Sequence, residues 1–157
     1  MLSLSLDLPE FKVIKQENGS NFHFVVVEKE CEEERCPYCG FLAGSVHDRR
    51  IRKVRDIALL HKPLYLFIQV RRFRCHNCLE IFSETYDSVK PGCHQTSRFR
   101  EYLYEQCIDT TIQFVSRKQQ IPYSTLERIF YSVAQEKAGE HKEVIEKKRK
   151  EIQKTWF

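Results

Sequence analysis

Two cysteine pairs of identical spacing, Cys36-Pro37-Tyr38-Cys39 and Cys75-His76-Asn77-Cys78, carry the clearest chemistry in the chain. With two residues between its thiols, each pair can turn both sulfurs onto one ion. Two such knuckles close a tetrahedral thiolate site of the kind that holds structural zinc. Pro37 pre-bends the first turn, and Gly40 follows where backbone amides must fold over the sulfurs. A lone pair of this spacing could be a redox motif. Together the pairs read as one closed site for one zinc ion per chain, ligated by Cys36, Cys39, Cys75 and Cys78. The pairs stand farther apart than the usual template, so the segment between them must form a loop of its own. Cys107 fits a helical pattern as a small core residue, while Cys93-His94, His47 and His61 are weaker alternative ligands.

The background composition narrows the class. A chain of 157 residues has room for one ordinary domain or two small ones. No apolar run is long enough to span a bilayer, and no basic region followed by an apolar core opens the chain, so neither a membrane span nor a signal peptide is expected. Seven cysteines, an odd number, argue against a secreted disulfide framework and for a cytoplasmic protein.

The net charge of +4 is mild but unevenly spread. Glu28, Glu30, Glu32, Glu33 and Glu34 crowd ahead of the first knuckle; Arg49, Arg50, Arg52, Lys53 and Arg55 follow it, and Arg71, Arg72 and Arg74 lead into Cys75. A charge run is often a solvated face, but guanidinium forks match phosphate oxygens well. Arg49, Arg50, Arg52, Arg71, Arg72 and Arg74 are therefore the candidate phosphate contacts, and the fold should bring the two clusters together.

Elements that could position these groups fall into an α+β order. Residues 11–29 alternate around Asn18-Gly19, which predicts a β-hairpin within a lead of 1–34. A zinc-ribbon module follows over 35–90, with Leu64–Val70 a strand running into the second knuckle and Lys90-Pro91-Gly92 a linker. Phe99, Leu103, Cys107 and Phe114 recur at helical spacing, so 97–112 should be an amphipathic helix, with a short helix over 113–120. Ile121-Pro122-Tyr123 breaks the pattern, and Ser124-Thr125-Leu126-Glu127 reads as a capping box opening a third helix. Leu126, Ile129, Phe130 and Val133 give that helix a buried stripe. A helix-turn-helix over 95–137 is the result, with Tyr123, Thr125, Arg128 and Ser132 as its candidate DNA-reading residues. Residues 138–157 form a charged helical tail, with Glu143–Lys147 and Glu146–Lys150 at paired spacing and few apolar anchors (Val144, Ile145, Ile152, Trp156).

The strings Cys36-Pro37-Tyr38-Cys39-Gly40, Val46-His47-Asp48-Arg49-Arg50, Arg55-Asp56, Val70-Arg71-Arg72-Phe73-Arg74-Cys75-His76-Asn77-Cys78 and Phe82-Ser83-Glu84 resemble the N-terminal zinc finger of the ISL-three type of bacterial insertion-sequence transposases. The helix-turn-helix resembles the segment that follows that finger, apart from Gln120 and Pro122 in the turn, where a glycine and a small polar residue are more usual. The resemblance implies that both modules recognise double-stranded DNA at the terminal inverted repeats of the element. Self-association, or pairing with an intact transposase, is a further partnership it allows.

Members of that family continue into a ribonuclease-H-like catalytic domain. Such a fold needs on the order of a hundred residues or more, which the stretch after the third helix cannot supply. Asp48 and Asp56 sit among arginines that would neutralise them, and with Asp87 they make a poor nuclease cluster. The expectation is the DNA-binding part of a transposase, truncated or split, that is not an enzyme on its own and takes no small-molecule substrate. A stand-alone regulator of transposition or transcription, or a zinc-scaffolded protein–protein adaptor whose arginines meet an acidic partner, are the alternatives.

Overall fold

The computed structural model describes residues 6–142 in full and the backbone of 143–155. The chain divides into two compact units, Met1–Phe99 and Arg100–Phe157. The first is a sheet: β1 (Phe11–Asn18), β2 (His23–Lys29), β5 (Val46–Leu59), β6 (Lys62–Arg74) and β7 (Ile81–Ser83), with the short pair β3 (Glu34–Arg35) and β4 (Leu42–Ala43) beside it. Strands lie in the order β1-β2-β6-β5, with β7 also on β6. All pairings are antiparallel except β2 against β6, where the chain returns after the first knuckle to run alongside its own beginning.

The loop required between the knuckles is thus a long hairpin, β5–β6, that supplies the two longest strands of the sheet. A boundary at 34/35 has no counterpart in the backbone, because β2 from the lead and β6 from the zinc module are hydrogen-bonded neighbours. Asn18-Gly19 does end β1, but the connection to β2 takes residues 19–22, with the Gly19 amide bonded to the Phe22 carbonyl. A Cβ on Gly19 would lie 2.7 Å from that carbonyl oxygen, so the close approach requires glycine. The two-residue turn falls instead at Leu60-His61, between the paired Leu59 and Lys62.

Strand β6 serves two cores with opposite faces. Leu64, Leu66 and Ile68 join Leu6, Leu8, Phe11, Val25, Val27, Val54, Tyr86 and Val89 under the sheet. Past Val70 the buried set changes parity, and Phe73 and Cys75 join Cys36, Ala43 and Phe82 in a second cluster around the knuckles. Side chains alternate along a strand, so the far end of β6 turns its other face inward.

In the second unit α1 (Ser97–Asp109, its first turn in the first unit), α2 (Ile112–Gln119) and α3 (Tyr123–Thr155) bury Leu103, Cys107, Val115, Ile121, Leu126, Ile129 and Val133. Thr111 caps α2 by accepting from the Phe114 amide at 3.2 Å. Its C-terminus closes on Gln120 in the left-handed region (φ 53°), with the Ile121 amide reaching back to the Ser116 carbonyl. This is a Schellman-type stop, normally made with glycine. The expected capping box at Ser124 is displaced: α3 starts at Tyr123, and the Pro122 carbonyl accepts its first backbone bond, from Leu126. One helix then runs on through 138, where a separate tail was expected. The expected Glu–Lys pairs and apolar anchors of that tail lie outside the residues whose side chains are described. Among the described residues, no helix is long and apolar enough to cross a membrane.

Candidate metal centre and nucleic-acid interface

The two knuckles are built alike. The Cys36 amide donates to the Phe41 carbonyl at 2.8 Å and the Gly40 amide to the Cys36 carbonyl at 2.9 Å; in the second, Cys75 donates to Glu80 at 2.9 Å and Leu79 to Cys75 at 3.0 Å. Gly40 and Leu79 both take positive φ, 75° and 64°, to wrap the turn over the sulfurs. Phe73 stacks on Phe82 at 6.0 Å beneath, and β6 carries the second knuckle to the first.

Sulfur atoms of Cys36, Cys39, Cys75 and Cys78 all lie within 4.8 Å of one another. Cys36 and Cys78 approach to 3.6 Å, and Cys39 and Cys75 to 3.5 Å. A tetrahedron with metal–sulfur bonds of about 2.3 Å has sulfur edges of about 3.8 Å. The donor set and its size therefore fit one Zn²⁺, held by these four residues. Without a cation the thiols cannot ionise together. A hydrogen bond from the Asn77 side chain, with one from the Phe41 backbone, draws Cys39 down to about 6. Cys78 is favoured as a thiolate by the Glu80 backbone, yet burial and three neighbouring thiols push it up to about 12. A divalent ion stabilises all four thiolates and locks the knuckles to each other. Cys93, His94, His47 and His61 take no part in the cluster.

Pairing of β5 with β6 brings the two arginine clusters together, with Arg49 opposite Arg71 and Asp48 opposite Arg72. The members have different fates. Arg49, Arg50 and Arg74 are exposed and have no side-chain partner among the described residues. Arg50 and Arg52 border a cavity of about 400 Å³ with Ser83, Thr85 and Gly92. Arg52 itself donates to the carbonyls of Lys90 and Cys93, and Arg72 is 2.8 Å from Asp48. Arg71 is a correction to the expected set. It is 8% exposed, and its Nε and one terminal nitrogen are held by buried Glu84 at 3.0 and 2.8 Å, so the guanidinium is turned away from solvent, where a phosphate would have to reach it. The signal was present: Arg71, Phe73 and Cys75 alternate, so they share one strand face, and the other two are core.

On α3, Arg128 and Tyr123 are exposed, and Thr125 is half-buried. Arg128 has no side-chain partner among the described residues. Ser132 differs from its expected outward role, because its hydroxyl accepts from Arg100 at 2.8 Å and faces Glu136 at 3.3 Å. Arg117 and Lys118, exposed in the last turn of α2, were missed by sequence reasoning, although a basic pair beside the turn is a readable signal. Two of the carboxylates weighed for catalysis are occupied: Asp56 accepts from Thr96 at 2.7 Å and from Arg98, and Asp48 from Arg72.

Residues 32–78 match the family model of the zinc-finger of transposase IS204/IS1001/IS1096/IS1165, and residues 84–134 match that of the helix-turn-helix domain of transposase family ISL3. Neither matched model is a catalytic domain. No curated protein and no solved structure matches the chain.

Proposed function

This chain carries the zinc ribbon and the helix-turn-helix domain of ISL3-family transposases, and from that premise we propose that it recognises the terminal inverted repeats of an insertion sequence, by binding rather than by cutting. DNA binding is the activity the two domains point to together, and the cysteine site makes the ribbon's part of it zinc-dependent. The finer assignment rests on division of labour. Arg49, Arg50 and Arg74 contact phosphates and set the register, with Arg52 and Arg72 able to join only by leaving partners they already have. Tyr123, Thr125 and Arg128 on the opening turns of α3 meet base edges in the major groove.

A single observation carries this reading: an exposed guanidinium, Arg128, stands next to a buried stripe (Leu126, Ile129, Val133) that fixes which way the helix faces. A bidentate guanine contact by such a group discriminates by about 1–3 kcal/mol. The test is Arg128→Ala against single-base variants of the repeat. A reading residue loses preference at one position. Uniform weakening at every position would make Arg128 a phosphate contact and move sequence reading elsewhere.

A further inference from the structure

The sheet turns one face to its core and leaves the other open. On the open face Phe22 lies 6.3 Å from Phe24 and 6.0 Å from Tyr65, and Phe24 lies 5.6 Å from Phe67, centroid to centroid. Phe22 is 44% exposed, the other three are half-buried, and none belongs to the buried cluster under the sheet. Register sets Phe24 beside Tyr65 and Val26 beside Phe67, so the rings form one connected strip across β2 and β6. Ile51, 72% exposed, continues it onto β5. The inner face already buries Val25, Val27, Val54, Leu64, Leu66 and Ile68, so this second apolar strip is not needed for the core.

Charge around the strip selects its occupant. The pairing registers put Lys12, Lys15, Lys53 and Arg49 on the same face, against Glu17 and Glu28, and Glu17 is already paired with Lys15. Lys53 holds its ammonium 4.2 Å from the centre of the Tyr65 ring. Two copies of this face stacked together would oppose their cations, which disfavours self-association. A polyanion suits it. Duplex DNA would present phosphates and leave the rings idle, whereas an unpaired strand offers base faces to the rings while its phosphates reach the lysines.

We propose that this sheet face, through Phe22, Phe24, Tyr65 and Phe67 with Lys53 and Arg49, binds a single strand of DNA by stacking its unpaired bases. The choice of DNA rests on the duplex-binding function proposed above; the choice of a single strand rests on the rings alone.

The experiment measures binding of the full, zinc-loaded chain to labelled single-stranded oligothymidylate and, separately, to a mixed-sequence duplex. Replacing Phe24→Leu and Phe67→Leu together keeps apolar bulk but removes two planar rings. The expected result is at least about a tenfold loss for the single strand, with duplex binding and zinc content unchanged. Lys53→Gln, a surface change, should lower the salt dependence of single-strand binding and serves as the deciding variant should the leucine pair fail to fold. Absence of oligothymidylate binding by the parent chain, or equal binding by the variants, overturns the proposal. Tighter binding of oligouridylate than oligothymidylate overturns the choice of DNA, and a concentration-dependent dimer abolished by the leucine pair assigns the face to a second copy instead. Loss of duplex binding with retained oligothymidylate binding supports this site while counting against the function proposed above.

Discussion

The guanidinium of Arg71 lies 2.8 Å from the carboxylate of Glu84, which is fully withdrawn from water. Tyr86 donates to the same carboxylate at 2.8 Å, the Arg71 amide donates at 2.9 Å, and Nη2 of the guanidinium also reaches the carbonyls of Lys29 and Cys31. The pair thereby ties β6 to the end of β2 that leads into the first knuckle. Burial and this carboxylate also push the Tyr86 phenol up, so it stays a donor. Removing one partner strands the other charge in the interior, which costs about 3–5 kcal/mol.

Arg71→Ala should therefore lower unfolding stability by about 3–5 kcal/mol, whereas exposed Arg50→Ala should change it by no more than about 0.5 kcal/mol. Denaturant melts of both variants decide the matter. Similar small effects would mean that Arg71 is a surface cation after all, and would return it to the phosphate contacts.

Leu60 and His61 form the β5–β6 turn with φ of 47° and 65°. Positive φ at both central positions is what a type I′ turn demands, and Asn-Gly meets that demand with little strain. Leu60 is 70% exposed, so no packing compensates for it. The double change Leu60→Asn, His61→Gly should raise stability by about 1 kcal/mol or more, since each non-glycine residue in this region costs about 1–2 kcal/mol. An unchanged or lowered melting midpoint would count against this turn geometry.

That turn shows where the sequence was readable and where it was not. The knuckles, the strand into Cys75 and the helix order followed from spacing alone, because metal ligation and amphipathic periods are local signals. The turn at Leu60-His61 carries no turn residues and was invisible, while Asn18-Gly19 advertised a tight hairpin and delivered a longer loop. Parallel pairing of β2 with β6 is non-local, so charge and period gave no hint that the lead and zinc module share a sheet. Arg71 was misplaced by reading composition (a run of arginines) before strand parity, and Ser132 by reading one helix without its neighbour Arg100. On α2, Gln120 stood out as an unusual turn residue, and its left-handed φ is the physical reason.

Phosphate binding by the free arginines has a thermodynamic signature. Changing Arg50→Ala and Arg74→Ala together should weaken binding to repeat and scrambled duplex alike and reduce the slope of log affinity against log salt by about 0.9 for each phosphate no longer neutralised. The same measurement on Arg71→Ala should leave the slope unaltered in whatever fraction remains folded. A slope untouched in the Arg50/Arg74 variant would exclude both residues from the phosphate path.

Zinc-dependent recognition of one DNA sequence is the central claim, and it has a direct measurement. Purified chain, with its zinc content determined, is titrated with duplex carrying the element's inverted repeat and with the same bases scrambled, before and after chelation, alongside Cys75→Ser. Structural zinc in small finger modules is worth about 10–16 kcal/mol at neutral pH, more than the small cluster around the knuckles could replace. The account predicts one zinc per chain, tight and repeat-selective binding that chelation abolishes and added zinc restores, and neither metal nor selectivity in Cys75→Ser. Equal affinity for repeat and scrambled duplex, or selective binding that survives complete removal of the metal, would contradict it.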